Sequence, residues 1–205
     1  VYTFDFHRNM LLSFLDRLEL SGLTLVAQDW GGVLGLTLPM ESPHRFSRLL
    51  LMNTLLGTGD KPLGEGFLAW RGWCRNNPDM APGKLLGRAC PHLNDAEKAA
   101  YDAPFPDMTY KAGARAFPEL VPEHQDDPGA ELSRNARAWL SEEWCGETFM
   151  AIGMTDPVIP PHAMRALQKI IRGCTEPLEI PAGGHFLQEW GEPVAQAAVA
   201  HWARE

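Results

Sequence analysis

Asp29, Asp156 and His185 are the residues whose types and settings could carry out covalent chemistry. Asp29 is the centre of Ala27-Gln28-Asp29-Trp30-Gly31, a small-x-nucleophile-x-small spacing. In that pattern a strand turns sharply into a helix, and small flanking residues leave the central side chain exposed above the sheet. A carboxylate there needs no base to attack a carbon bearing a good leaving group, because in-line displacement makes an ester on the carboxylate itself. Asp156 follows the apolar run Thr148–Gly153, and His185 ends the turn Ala182-Gly183-Gly184-His185. A histidine held by an acid would then activate water against that ester. Taken singly, each residue has a plainer reading. Asp29 could cap a helix, Asp156 could form a turn before Pro157, and His185 could be a structural turn residue. Their joint order of nucleophile, acid and histidine favours a triad.

Such a triad needs elements that deliver all three residues to one edge of a sheet. Apolar residues between Thr3 and Leu20 recur at spacings of three and four (Phe6, Met10, Leu11, Phe14, Leu15, Leu18), which predicts an amphipathic helix. Leu23–Ala27 reads as a strand buried on both faces. From Gly31 the apolar pattern through Met40 reads as a buried helix stopped by Ser42-Pro43, and Arg48–Asn53 as a second buried strand. Between 57 and 146 prolines recur from Pro62 to Pro128 and no strand-like run appears, so short helices are expected. A strand at Thr148–Gly153, a helix near Pro161–Arg172, a short strand at Leu178–Ile180 and a helix near Glu192–Arg204 restore the α/β texture. The predicted organisation is an α/β core with a mostly parallel sheet (1–56 and 147–205), interrupted by a helical cap (57–146). Asp29, Asp156 and His185 all follow strands, where the ligand crevice of an open α/β sheet lies.

Composition narrows the partners. The chain has 205 residues, 45% hydrophobic and 21% charged, which suits a globular domain with a sizeable core. Its net charge of −8 argues against nucleic acid and anionic membranes and suits a small neutral ligand. No apolar run approaches the roughly 20 residues of a membrane helix. The four cysteines show no C-x-x-C spacing, so a reducing cytoplasm is expected rather than a disulfide framework or a zinc site. His7, His44, His92, His124, His162 and His201 share no ligand spacing, and no metal is expected. Phe67, Phe117 and Pro118 are candidates to line an apolar pocket, against the plainer reading that they form the insertion's own core. The chain begins at Val1 rather than Met, which suggests processing or an absent beginning.

Several stretches together resemble the haloalkane dehalogenases, which have the α/β-hydrolase fold: Gln28-Asp29-Trp30-Gly31-Gly32, Leu36-Thr37-Leu38-Pro39-Met40, Asn53-Thr54 with Thr58-Gly59-Asp60, Gly66-Phe67-Leu68-Ala69-Trp70, Ala103-Pro104-Phe105-Pro106-Asp107 and Gly184-His185-Phe186-Leu187-Gln188-Glu189. The resemblance is to the branch whose second halide-binding Trp lies in the cap. It implies hydrolysis of small haloalkanes by water with release of a halide ion, without cofactor or metal, in a protein that is monomeric when complete. By matching position it makes Asp29 the nucleophile, His185 the base, Asp156 the acid, and Trp30 and Trp70 the halide ligands. Indole N–H groups donate and cannot accept, which suits a leaving anion in a dry pocket. Trp139, Trp144, Trp190 and Trp202 read as packing residues. The resemblance also implies earlier core strands and a His-Gly-x-Pro-like oxyanion loop, neither of which lies upstream of Tyr2. The chain therefore reads as the C-terminal part of the family domain, with the nucleophile strand at a sheet edge. Two rival readings are an epoxide hydrolase, whose cap tyrosines would be Tyr101 and Tyr110, and an inactive hydrolase fragment.

Overall fold

Apolar runs become the strands of one parallel sheet in the computed structural model, which describes residues 2–203. Helix α1 (Phe4–Arg17) leads to β1 (Leu23–Gln28), α2 (Trp30–Gly35) and β2 (Phe46–Met52). Helices α3 (Glu65–Asn76), α4 (Pro82–Ala89), α5 (Asp95–Asp102), α6 (Ala112–Ala116) and α7 (Ala130–Glu142) follow with no strand among them. Then come β3 (Glu147–Gly153), α8 (Pro161–Ile170), β4 (Leu178–Ile180) and α9 (Gly191–Trp202). The end expected for the last helix, Arg204, lies outside the described residues, as does Val1. The strands pair in chain order, β1-β2-β3-β4, all parallel. The register sets Gln28 beside Met52 and Gly153 beside Ile180, so the loops that follow all four strands open on one edge.

Alternation along β2 divides the core. Leu49 and Leu51 face one layer with Leu36, Leu140, Met150, Ile152 and Met164, while Leu50 and Met52 face the other with Phe149, Ile180, Leu187 and Val194. Strands β2 and β3 are buried on both faces, as parallel strands flanked by helices must be. Strand β1 differs from the expected doubly buried strand. Among the described residues it pairs only with β2, and Val26 is 59% exposed.

Two helices also depart from expectation. The apolar stripe of α1 does not face the core: Phe6, Met10, Leu11, Phe14 and Leu18 are exposed, and Phe4, Arg8 and Leu15 are buried. A polar anchor sets that face. The Arg8 guanidinium donates to Thr37 Oγ1 (2.9 Å), the Thr37 carbonyl (3.1 Å) and Glu41 (2.7 Å). Helix α2 ends at Gly35 instead of running to Met40. The Thr37 hydroxyl donates to the Leu34 carbonyl at 2.6 Å and Thr37 N–H bonds the same oxygen at 3.1 Å, which tightens the turn just before Pro39.

Candidate active site

The turn after β1 holds Asp29 at φ +48°, in the left-handed region that favours glycine. Such a backbone costs about 1–3 kcal/mol and persists only when its surroundings fix it. Here they do. Asp29 N–H donates to the Asn53 carbonyl at 3.0 Å. The Asp29 carbonyl accepts from the Thr54 hydroxyl (2.7 Å) and from the N–H groups of Gly32 (3.0 Å) and Val33 (3.2 Å). The residue that must be small is Gly32, because a Cβ there would collide with the Thr54 side chain; at Gly31 it would meet only Ala27 Cβ at 3.8 Å. Asp29 occupies the N-cap position of α2, yet its side chain makes no capping hydrogen bond. The plainer reading of this residue therefore fails, and its carboxylate is left partly exposed.

Asp156 and His185 arrive on the loops after β3 and β4. His185 Nδ1 lies 2.9 Å from Asp156 Oδ2, and His185 Nε2 lies 3.7 Å from Asp29 Oδ1. The imidazole is thus held on one side by Asp156 while its other nitrogen faces Asp29. The Asp156 side chain is wholly buried. Its Oδ1 accepts from the N–H groups of Val158 (2.7 Å) and Ile159 (3.0 Å), and its Oδ2 also accepts from Asn53 Nδ2 at 2.6 Å. Asn53, at φ +32°, completes the brace by accepting Gly153 N–H on Oδ1 at 2.8 Å.

These contacts set the electrostatics. Burial pushes the Asp29 carboxyl above its ordinary value, opposed by His185 and by the Trp30 backbone N–H; solvent reaching the 39% of the side chain left exposed limits the size of that rise. Burial alone would also raise Asp156, but its hydrogen bonds from His185, Asn53 and Ile159 outweigh burial and hold it low. For His185, burial would lower the pKa, and the Asp156 hydrogen bond with the charges of Asp29 and Asp156 reverses this and raises it. The result is one carboxylate held low at Asp156, one pushed up at Asp29, and between them a histidine made more basic than usual.

The residues expected around this core divide into separate groups. Trp30 sits at the start of α2 with its ring edge-on to Phe117, 4.9 Å between centroids, and Pro118 is buried next to Phe117. Phe117 also packs on His7 at 4.7 Å. Trp70 lies on α3 and stacks on Trp73, with centroids 5.5 Å apart. Phe67, one turn earlier on α3, lies against the Arg71 guanidinium. The tyrosines of the rival reading are engaged elsewhere. Tyr101 donates its hydroxyl to Glu189, and Tyr110 is 61% exposed. Asn53 and Gln28 were part of the sequence pattern without a role. Gln28 Nε2 donates to the His185 carbonyl at 2.8 Å. The available signal was a polar residue at the end of each apolar run. Among the described residues no cluster of three or more His, Cys, Asp or Glu side chains is arranged to hold a metal ion.

A parallel sheet with a strained turn at Asp29, followed in chain order by Asp156 and by the His185 bound to it, has the arrangement of an α/β-class hydrolase. The family model described as the alpha/beta hydrolase fold matches residues 1–192. A haloalkane dehalogenase of Psychrobacter cryohalolentis is 43% identical over 97% of this chain and 66% of its own length. Another, from Mycolicibacterium paratuberculosis, is 36% identical over 98% of this chain and 67% of its own. The tetrameric structure of haloalkane dehalogenase DpaA from Paraglaciecola agarilytica superposes with a TM-score of 0.94 at 42% identity, covering 98% of this chain and 67% of that one. The chain belongs to the α/β-hydrolase family and, within it, to the haloalkane dehalogenases. It spans about two thirds of the length of these relatives.

Proposed function

We propose that this chain hydrolyses small haloalkanes to an alcohol and a halide ion through an alkyl ester on Asp29. An Asp29 carboxylate oxygen attacks the carbon bearing the halogen, the carbon–halogen bond breaks, and the halide leaves with the electron pair. His185 Nε2 then takes a proton from water as the oxygen adds to the ester carbonyl. Collapse of the tetrahedral adduct expels the alcohol, which receives that proton; the acid left at Asp29 loses the second proton of the water to solvent, and the carboxylate is regenerated. Trp30 and Trp70 receive the halide through their indole N–H groups, and Phe67, Phe117 and Pro118 line the apolar path in the cap formed by 57–146. The single observation that supports this most is His185 held at 2.9 Å by Asp156 with its free nitrogen 3.7 Å from the Asp29 carboxylate. An assembled triad favours this over an inert chain, and the engaged tyrosines disfavour an epoxide hydrolase.

His185→Phe provides the test. The variant is expected to release about one halide per active site from 1-bromobutane and then stop, with mass spectrometry finding the butyl group on Asp29. Continued turnover, or alkylation elsewhere, overturns the assignment. A cytoplasmic location is part of the same reading and is supported by four cysteines that are all free thiols; cell fractionation tests it. No helix among the described residues is long and apolar enough to cross a membrane. The sequence leads one to expect a monomer. The tetrameric structure of the P. agarilytica relative and the apolar side chains exposed on α1 and β1 favour association instead, and light scattering decides.

A further inference from the structure

Asp156 fixes only Nδ1 of the His185 ring. A ring held at one atom can still swing or shift with its backbone, so the distance from Nε2 to the nucleophile depends on where the loop after β4 sits. That loop is tied to the nucleophile strand by one side chain. Gln28, the last residue of β1 and the neighbour of Asp29, donates from Nε2 to the His185 carbonyl at 2.8 Å, across 157 residues of sequence. The same carbonyl accepts Leu187 N–H at 3.0 Å, so the Gln28 amide grips a turn that is already closed on itself. Glu189 anchors the far side of the turn through Tyr101 and through His92 Nε2, 3.0 Å from its carbonyl. Those contacts join the turn to the cap and not to the strand that carries Asp29.

We propose that Gln28 is a positioning residue that sets the spacing between the base and the nucleophile, and so governs ester hydrolysis without taking part in ester formation. Its kinetic consequence rests on the dehalogenase reading above. The asymmetry between the steps follows from the chemistry, since Asp29 attacks without a base, whereas hydrolysis needs Nε2, water and the ester carbonyl aligned. Misplacement by about 1 Å can cost on the order of 10²-fold.

The test compares Gln28→Met, which keeps the length and removes the donor, with Gln28→His, which returns a ring N–H of similar reach. Rapid-mixing measurements with 1-bromobutane are expected to show Gln28→Met forming the ester at close to the wild-type rate and hydrolysing it about 10 to 100 times more slowly, with most of the loss recovered in Gln28→His. Proton NMR gives a readout independent of dehalogenation. The low-field signal of the His185–Asp156 hydrogen bond is expected to shift or broaden in Gln28→Met and to return in Gln28→His. Hydrolysis within twofold of wild type with an unchanged signal overturns the proposal, as does an equal loss in both steps or failure of Gln28→His to recover. If the wild type forms no ester, the dehalogenase reading fails while the NMR comparison still decides whether Gln28 positions the base. Should Gln28→Met not fold, Gln28→Asn, which withdraws the donor by one methylene, takes its place under the same criteria.

Discussion

At the scale of single residues, the proposed mechanism makes its two chemical steps respond differently to pH. A protonated His185 cannot accept a proton from water, and its pKa is raised, chiefly through Asp156 acting against burial. Ester hydrolysis is therefore expected to rise with pH through an inflection set by His185, held up by its hydrogen bond to Asp156 and no longer by Asp29, whose charge the ester has removed. Asp156→Asn removes the partner that raises it, so the inflection moves down even as the rate falls. Ester formation needs no proton transfer from His185, only an ionised Asp29, and is expected to fail toward acid at a pH above the ordinary aspartate range because burial raises that group. Single-turnover measurements across pH check both; a common inflection for both steps contradicts them. The tryptophans make a second residue-scale prediction. Trp30→Phe and Trp70→Phe should each weaken halide binding or activation by roughly 1–3 kcal/mol, one donor removed from a dry site. Trp73→Phe keeps the stacked ring beneath Trp70 and serves as control. Equal losses at positions 70 and 73 would move the halide ligand elsewhere.

At the scale of elements, α3 is seated by one glycine. A Cβ on Gly66 would run into the backbone carbonyl of Pro157, the residue after the acid, and neither partner is a flexible side chain. Gly66→Ala is expected to displace α3 with Phe67 and Trp70, destabilising by about 1–3 kcal/mol and lowering halide affinity. Gly72→Ala on the same helix meets nothing within 4 Å and should instead stabilise by roughly 0.5–1 kcal/mol. Thermal melts and bromide titrations of the two variants check the contrast, and like behaviour would refute it. The elements show what a sequence carries and what it hides. Asp29, Asp156 and His185 were legible as candidates because each lies in the loop that follows an apolar run, and the strands and the strand-free insertion were legible from the same runs and their absence. Asn53 and Gln28 were not, since their partners lie 103 and 157 residues away. The α1 stripe misled because periodicity reports that a helix has an apolar face, and Arg8 with Thr37 and Glu41 decides which face turns inward.

At the scale of the whole molecule, the exposed side chains Phe6, Met10, Phe14 and Leu18 of α1 and Val26 of the edge strand leave apolar surface that a solitary soluble chain seldom keeps. The 205-residue chain is expected to bind a hydrophobic dye and to associate as its concentration rises, with Phe14→Lys and Val26→Lys each reducing both effects. A monodisperse monomer at every concentration would count against this. The polar partners of the triad have a different distribution. Asp29, Asp156 and His185 are held by Gln28, Asn53, Thr54 and backbone groups outside 57–146. The insertion touches their neighbours, where Gly66 meets Pro157, where Phe117 meets Trp30, where Phe186 packs against Leu86, Cys90 and Leu93, and where His92 and Tyr101 meet Glu189. In evolutionary terms, substitutions in the insertion are expected to change substrate choice while the hydrogen bonds among Asp29, Asp156 and His185 stay in place, provided that positions 66, 70, 92 and 101 are kept.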